Sequence, residues 1–210
     1  MKIIAAFVVA ILFMGWIAGA LKESESEMDA TEAVNTAVDD QNSRKDVEPE
    51  PISPPPPPPS PWSVTEKTSP VDDSKSVWLT THSNETVPHR YRSGGAAPAM
   101  LQIRCMENTT ALYIEFNGQH MASSPYQNWG DVVVRVDAND ARTISMDAST
   151  DNSLLGLFRG GQSIPLIRSM MGAERFLVRA TPFNGSPITV TFNVSGLDEK
   201  IAPLRKACHW

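Results

Sequence analysis

The segment RFLVRATPFNGSPITVTFNVSG, residues 175–196, leaves this chain few choices of fold. In its second half Ile188, Val190, Phe192 and Val194 alternate without a break with Thr189, Thr191, Asn193 and Ser195. Successive side chains on a strand point to opposite faces, so such a run has one buried face and one wet face. Between the halves, NGSP carries an asparagine–glycine pair suited to positive φ. The segment predicts a β-hairpin, and a hairpin needs further strands to bury its apolar face.

Those strands are legible from Trp62 onward. VWLTT sets Val77 and Leu79 on one side. LQIRCM alternates Leu101, Ile103 and Cys105 with Gln102 and Arg104, and after the turn ENTT, ALYIEF alternates Leu112, Ile114 and Phe116 with Tyr113 and Glu115. DVVVRVD presents Val132, Val134 and Val136, and the turn ANDA leads into RTISM. SLLGLFRG reads as a short strand with Gly156 at a bulge. Six or seven strands at this spacing predict a mainly β fold, a single antiparallel β-sandwich or barrel-like domain.

Two short helices complete the reading. GGQSIPLIRSMMGAE is expected to start at Ser163 as N-cap, with Pro165 in the first turn, and to stop at Gly172. In LDEKIAPLRKACHW, residues Leu197, Ile201, Leu204 and Cys208 fall on one helical face. Asp198 and Glu199 suit its positive end and Arg205 and Lys206 its negative end. Pro203 should kink or shorten it.

The first sixty residues are of another kind. Ile3 to Leu21 carry no charge between Lys2 and Lys22. As a helix the run would span about 28 Å, near the thickness of a bilayer's hydrocarbon core. It reads either as an uncleaved transmembrane anchor or as a signal peptide cut after Ala18-Gly19-Ala20. Residues 22–61 hold ten acids against three bases, and nine of the 17 prolines lie in PEPISPPPPPPSP. So few apolar residues cannot offset the entropy of ordering, so a disordered linker is expected, with Pro54–Pro59 as a polyproline II spacer. The expected organisation is 1–21 anchor or signal, 22–61 linker and 62–210 globular domain. Either fate of the leader puts that domain outside the cytoplasm, held by a single pass or cleaved free.

The chain has two cysteines, Cys105 and Cys208. Each lies on a buried face, and in an oxidising compartment such a pair is expected to form a disulfide. The bond would fix an end that otherwise frays, with Trp210 covering the sheet edge beside it.

Motifs for chemistry are missing. His82, His89, His120 and His209 have no metal-ligand spacing, so no metal and no cofactor are expected. Asp137 to Arg142 hold carboxylates without the frame of a calcium loop and read as a turn. FRGGQS lacks the lysine of a phosphate loop, and no nucleophile elbow is present, so no catalytic residues and no enzyme are expected. Residues 22–61 carry -7 and Lys2 +1, so within the net charge of -6 residues 62–210 balance to zero, which offers nothing to nucleic acid. Asp72 and Asp73 in VDDSK are candidate partner-binding residues, against the plainer reading of an Asx-type turn. Trp62, Trp78, Trp129, Tyr126 and Tyr91 are the aromatics available for a binding face, and Trp129 is the one singled out.

Four stretches in order carry a resemblance: PWSVTEKTSPVDDSKSVWL, LQIRCMENTTALYIEF, VVVRVDANDA, and the long tail from MMGAERF to LRKACHW. Together they make residues 61–210 resemble the VasI/TagO-type family of type VI secretion-associated proteins. The resemblance implies a small, exported, cysteine-paired accessory of an envelope-spanning machine, without catalysis. Its expected partners are other envelope proteins, among them secretion-system membrane components. The reading from another class is a cell-wall or glycan-binding module, phage-derived copies included.

Overall fold

The computed structural model describes residues 59–124 and 128–210, with the side chain of Arg92 left aside. The expected anchor, the linker up to Pro58 and Tyr126 lie outside these residues. Among the described residues no helix is long and apolar enough to cross a membrane.

Ten strands form one antiparallel sheet: β1 (Ser63–Thr68), β2 (Lys75–Pro88), β3 (Ala96–Met106), β4 (Thr109–Glu115), β5 (Asp131–Val136), β6 (Arg142–Ser145), β7 (Asp147–Ala148), β8 (Leu154–Leu157), β9 (Arg175–Ala180) and β10 (Ile188–Asn193). Their spatial order is β6-β5-β9-β10-β2-β3-β4-β8-β7, with β1 added to β2. The two ends of this path, β6 and β7, are separated by a single residue, Met146, which is buried and donates its N–H to the Gly130 carbonyl at 2.8 Å. One extended segment therefore pairs first with β5 and then with β8, and the sheet bends round into a nearly closed barrel. The opposite corner lies in β2, where the register with β3 shifts between His82 and Thr86. Ser83 stitches that bulge: its hydroxyl donates to the Glu85 carbonyl at 2.7 Å and accepts from Ala99 N–H at 2.8 Å.

The inward face read from the sequence holds on every strand it named, while on β4 the other face is covered too, with Ala111 and Tyr113 buried. Leu79, Leu101, Ile103, Leu112, Ile114, Phe116, Val132, Val134, Val190, Phe192 and Val194 all point into one core. Each fully buried side chain of this size contributes roughly 1.5–3 kcal/mol. Glu107 and Asn108 both have positive φ, the signature of the tight β3–β4 turn. Asn184 also has positive φ, but the β9–β10 connection is a longer loop, residues 181–187.

Several expectations are corrected. Gly156 is not at a bulge; it pairs in register with Tyr113 on one side and Asp147 on the other. Its need is space, since a Cβ there would lie 2.7 Å from the Tyr113 Cβ and 2.8 Å from the Leu112 carbonyl. Ser163 is not a cap. Helix α1 (Gly160–Met170) begins after Arg159, and Ser163 lies inside it, fully buried, donating to the Thr110 carbonyl at 2.8 Å. Anchoring the helix to β4 takes the hydroxyl that a cap would use. Pro165 then falls in the second turn, and Gly172 ends the element at positive φ as expected. The terminal helix divides into α2 (Leu197–Lys200) and α3 (Ala202–Ala207), because Pro203 in the first turn of α3 has no N–H to continue the ladder. Among the described residues there are thus three short helices and more strands than the six or seven expected. The short β7 and the exposed β1 lack a strong apolar alternation.

Candidate functional site

The start of β2 and the chain terminus meet at one end of the barrel. Cys105 faces inward beside Val77, its partner across β2–β3, and α3 crosses beneath them. Cys208, at the end of α3, forms the expected disulfide with Cys105, with Cα atoms 5.8 Å apart and a sequence separation of 103. The last two residues are fixed as well. Trp210 Nε1 donates to the Thr110 hydroxyl at 2.8 Å, and Thr110 is the cross-strand neighbour of Cys105. The guanidiniums of Arg205 and Arg168 sit 5.3 and 5.6 Å from the indole centroid. His209 is within hydrogen-bond distance of Asn108 Oδ1, at 3.0 Å.

Beside this clamp runs a groove of about 560 Å³, lined by Glu66, Lys75, Val77, Ala202, Pro203, Lys206, Ala207 and His209. Its floor is apolar and its rim charged. Asp72 and Asp73 lie nearby, at the tip of the β1–β2 connection. Asp72 accepts the Ser74 hydroxyl at 2.9 Å and the Ser74 N–H at 3.3 Å. Hydroxyl donors from Ser69 and Ser74 hold its carboxyl below the usual range, while Asp73 takes positive φ. Both sit in a turn, with Asp72 in the Asx-type arrangement.

Trp129 sits at the other end, near the finish of β2. It is half-buried and meets Phe183 edge-on at 4.6 Å, and Phe183 in turn meets His120 at 5.4 Å. Phe183 remains 37 % exposed. Next to this patch, Pro88, Gln119, Pro182, Gly185, Pro187 and Ile188 line a hollow of about 370 Å³. The structure therefore does not bring Trp129 and the Asp72-Asp73 pair together. Trp62 is a core residue, buried and donating its indole N–H to the Val194 carbonyl at 3.3 Å.

A stripe crosses the outer face of the sheet, built on residues that the alternation sets opposite the core. Lys67 lies 5.6 Å over Trp78, Trp78 pairs with Arg104, Arg104 lies 5.5 Å over Tyr113, and Tyr113 stacks on Phe158 at 6.3 Å. Tyr113 donates its hydroxyl to Gln102 Oε1. Burial pushes its pKa up, opposed by the Arg104 charge. Alternation puts Trp78, Arg104 and Tyr113 on the outward face, but their mutual contacts require the register.

The histidines stay apart. His89 fits between Gly94 and Gly118, at either of which a Cβ would collide with its ring. Among the described residues no three His, Cys, Asp or Glu side chains group to hold a metal ion. Asp137 closes a turn and accepts the N–H groups of Arg175 at 2.8 Å and Glu174 at 3.1 Å. In the loop before β8, Asp151 accepts hydroxyls from Ser149 at 2.5 Å and Ser153 at 2.8 Å, which lowers its pKa to about 2.

The class defined by these features is a nearly closed antiparallel barrel whose last helix is disulfide-linked to its third strand. The chain belongs to the VasI family: the family model described as type VI secretion system VasI, EvfG, VC_A0118 matches residues 59–210. No curated protein matches the chain. Among solved structures it is similar to the crystal structure of invasion associated protein B from Bartonella henselae, at 7% sequence identity, over 72% of this chain and 96% of that one, with a TM-score of 0.42.

Proposed function

We propose that this chain is a non-enzymatic interaction component of a type VI secretion envelope assembly, with its barrel displayed in the periplasm and its N-terminal segment held in or processed at the inner membrane. The single observation that carries the reading is the Cys105–Cys208 disulfide within a VasI-family domain. A bond of this kind persists in an oxidising compartment and is rare in the cytosol. The groove, the outer stripe and the aromatic patch offer surfaces for partners rather than a cluster of reacting groups. The test is thiol trapping in intact cells combined with envelope fractionation and cross-linking. Protected thiols in the membrane or periplasmic fraction, cross-linked to secretion-system membrane proteins, support the reading. Free thiols in a cytosolic fraction overturn it.

A second reading, a cell-wall glycan module, is favoured by one observation: Trp129, Phe183 and His120 share a partly exposed patch. Aromatic faces at a rim suit sugar rings. Co-sedimentation with purified peptidoglycan that Trp129→Ala abolishes would select it over the first.

A further inference from the structure

Strand β1 is paired on one side only. It joins β2 over Ser63–Thr68, and among the described residues no other backbone group bonds to its far edge. All six of its residues are exposed. Val64 and Glu66 share rungs with Leu79 and Val77 of β2, which are buried, yet Val64 is 37 % exposed. The core therefore ends between the two strands, and β1 overhangs it. Every second N–H and C=O along the overhang has no strand to meet, which is a template for an added strand.

A second, independent feature lies under the same edge. The groove of about 560 Å³ is bounded by Glu66 on β1 and by Ala202, Pro203, Lys206 and Ala207 of α3, with Lys75 and Val77 on β2. An extended chain laid against β1 would point alternate side chains into it. One such side chain would meet the apolar floor of Val77, Ala202, Pro203 and Ala207. The next on that face, two residues along, would meet the ammonium groups of Lys206 and Lys75. Glu66 and Lys67, in the middle of β1, disfavour indiscriminate strand pairing. Nor does the chain just upstream of β1 suit this edge, because Pro54–Pro59 have no N–H to give.

The geometry points to β1 and this groove as a strand-addition site for an extended segment of another protein, one with an apolar side chain and a carboxylate two residues apart. The inference rests on the reading of the chain as an interaction component and supplies its docking chemistry.

The test uses the full chain in detergent micelles and two synthetic peptides, one repeating valine–threonine–glutamate–threonine, which sets a valine and a glutamate two residues apart on one face, and one with lysine in place of the glutamate. The valine–glutamate peptide is expected to bind and to slow backbone hydrogen exchange within Ser63–Thr68 at least tenfold, and the lysine peptide is not. Lys75→Glu with Lys206→Glu, both exposed positions, should weaken binding about tenfold with unchanged circular dichroism. Equal binding of both peptides, or protection confined to other strands, overturns the site. So does an edge already protected without peptide, through the protein's own N-terminal segment or through a concentration-dependent second copy. These outcomes are separate from localisation: the peptides can fail while the protein still fractionates with the envelope.

Discussion

At one end of the barrel the chain terminus is tied down by a disulfide, an indole hydrogen bond from Trp210 to Thr110 and two guanidiniums over the same ring. At the other end Trp129, Phe183 and His120 hold their loops together by ring contacts on a partly exposed surface. The difference is one of mechanism. The clamped end limits what the unfolded chain can do, so its contribution extends to the whole fold. The aromatic end contributes only local contact energy.

The largest test of that contrast removes the clamp. Replacing both cysteines, Cys105→Ala with Cys208→Ala, frees a 103-residue separation. In the chain-entropy model the loss is on the order of 4–5 kcal/mol, which calorimetry should register as a melting temperature lower by more than about 10 °C. An unchanged melting point would mean that packing alone holds α3. Between the ends, Gly156→Ala forces a methyl group against the backbone of β4 and should cost about 1–3 kcal/mol by urea unfolding. At the aromatic end, Trp129→Ala removes a half-buried ring and its edge contact, and about 1 kcal/mol is expected, with hydrogen exchange rising only in the neighbouring loops. Trp210→Phe keeps the ring and loses the bond to Thr110; the same denaturation assay should show a loss of about 0.5–1 kcal/mol.

The smallest effect is one of acidity and belongs to neither end. The carboxyl of Asp151 is held near about 2 by Ser149 and Ser153. A folded-state pKa below the ordinary 3.8 gives stability that is present above that value and is lost as pH falls toward about 2. Asp72 acts in the same direction. Asp151→Asn should therefore flatten the acid limb of the stability curve between about pH 4 and 2, by lowering stability slightly at neutral pH and leaving it unchanged at the acid end. Acid titrations of the two proteins that superimpose would remove this assignment.

Much of the frame was legible in the residues. Period-two runs fixed which side of β3, β4, β5 and β10 meets the core, because the pleat is strictly alternating. The Glu107-Asn108 turn and the paired cysteines were legible for equally local reasons. Strand β1 was not, since its sequence, SVTEKT, has one bulky apolar residue and its exposure depends on where the core stops. Ser163 looked like a cap because caps are recognised by position. Its actual partner is Thr110, on another strand.

By itself the sequence determined an antiparallel β domain, the inward face of its main strands, the break at Pro203 and the pairing of Cys105 with Cys208. These follow from backbone period, a missing N–H and a two-member set of thiols. Only the tertiary structure decided that β6 and β7 close the barrel through Met146, that β1 overhangs a groove, and that Lys67, Trp78, Arg104, Tyr113 and Phe158 form one stripe. The reason is register. Alternation specifies a face, but the neighbour across each strand is set by the packing of the whole sheet.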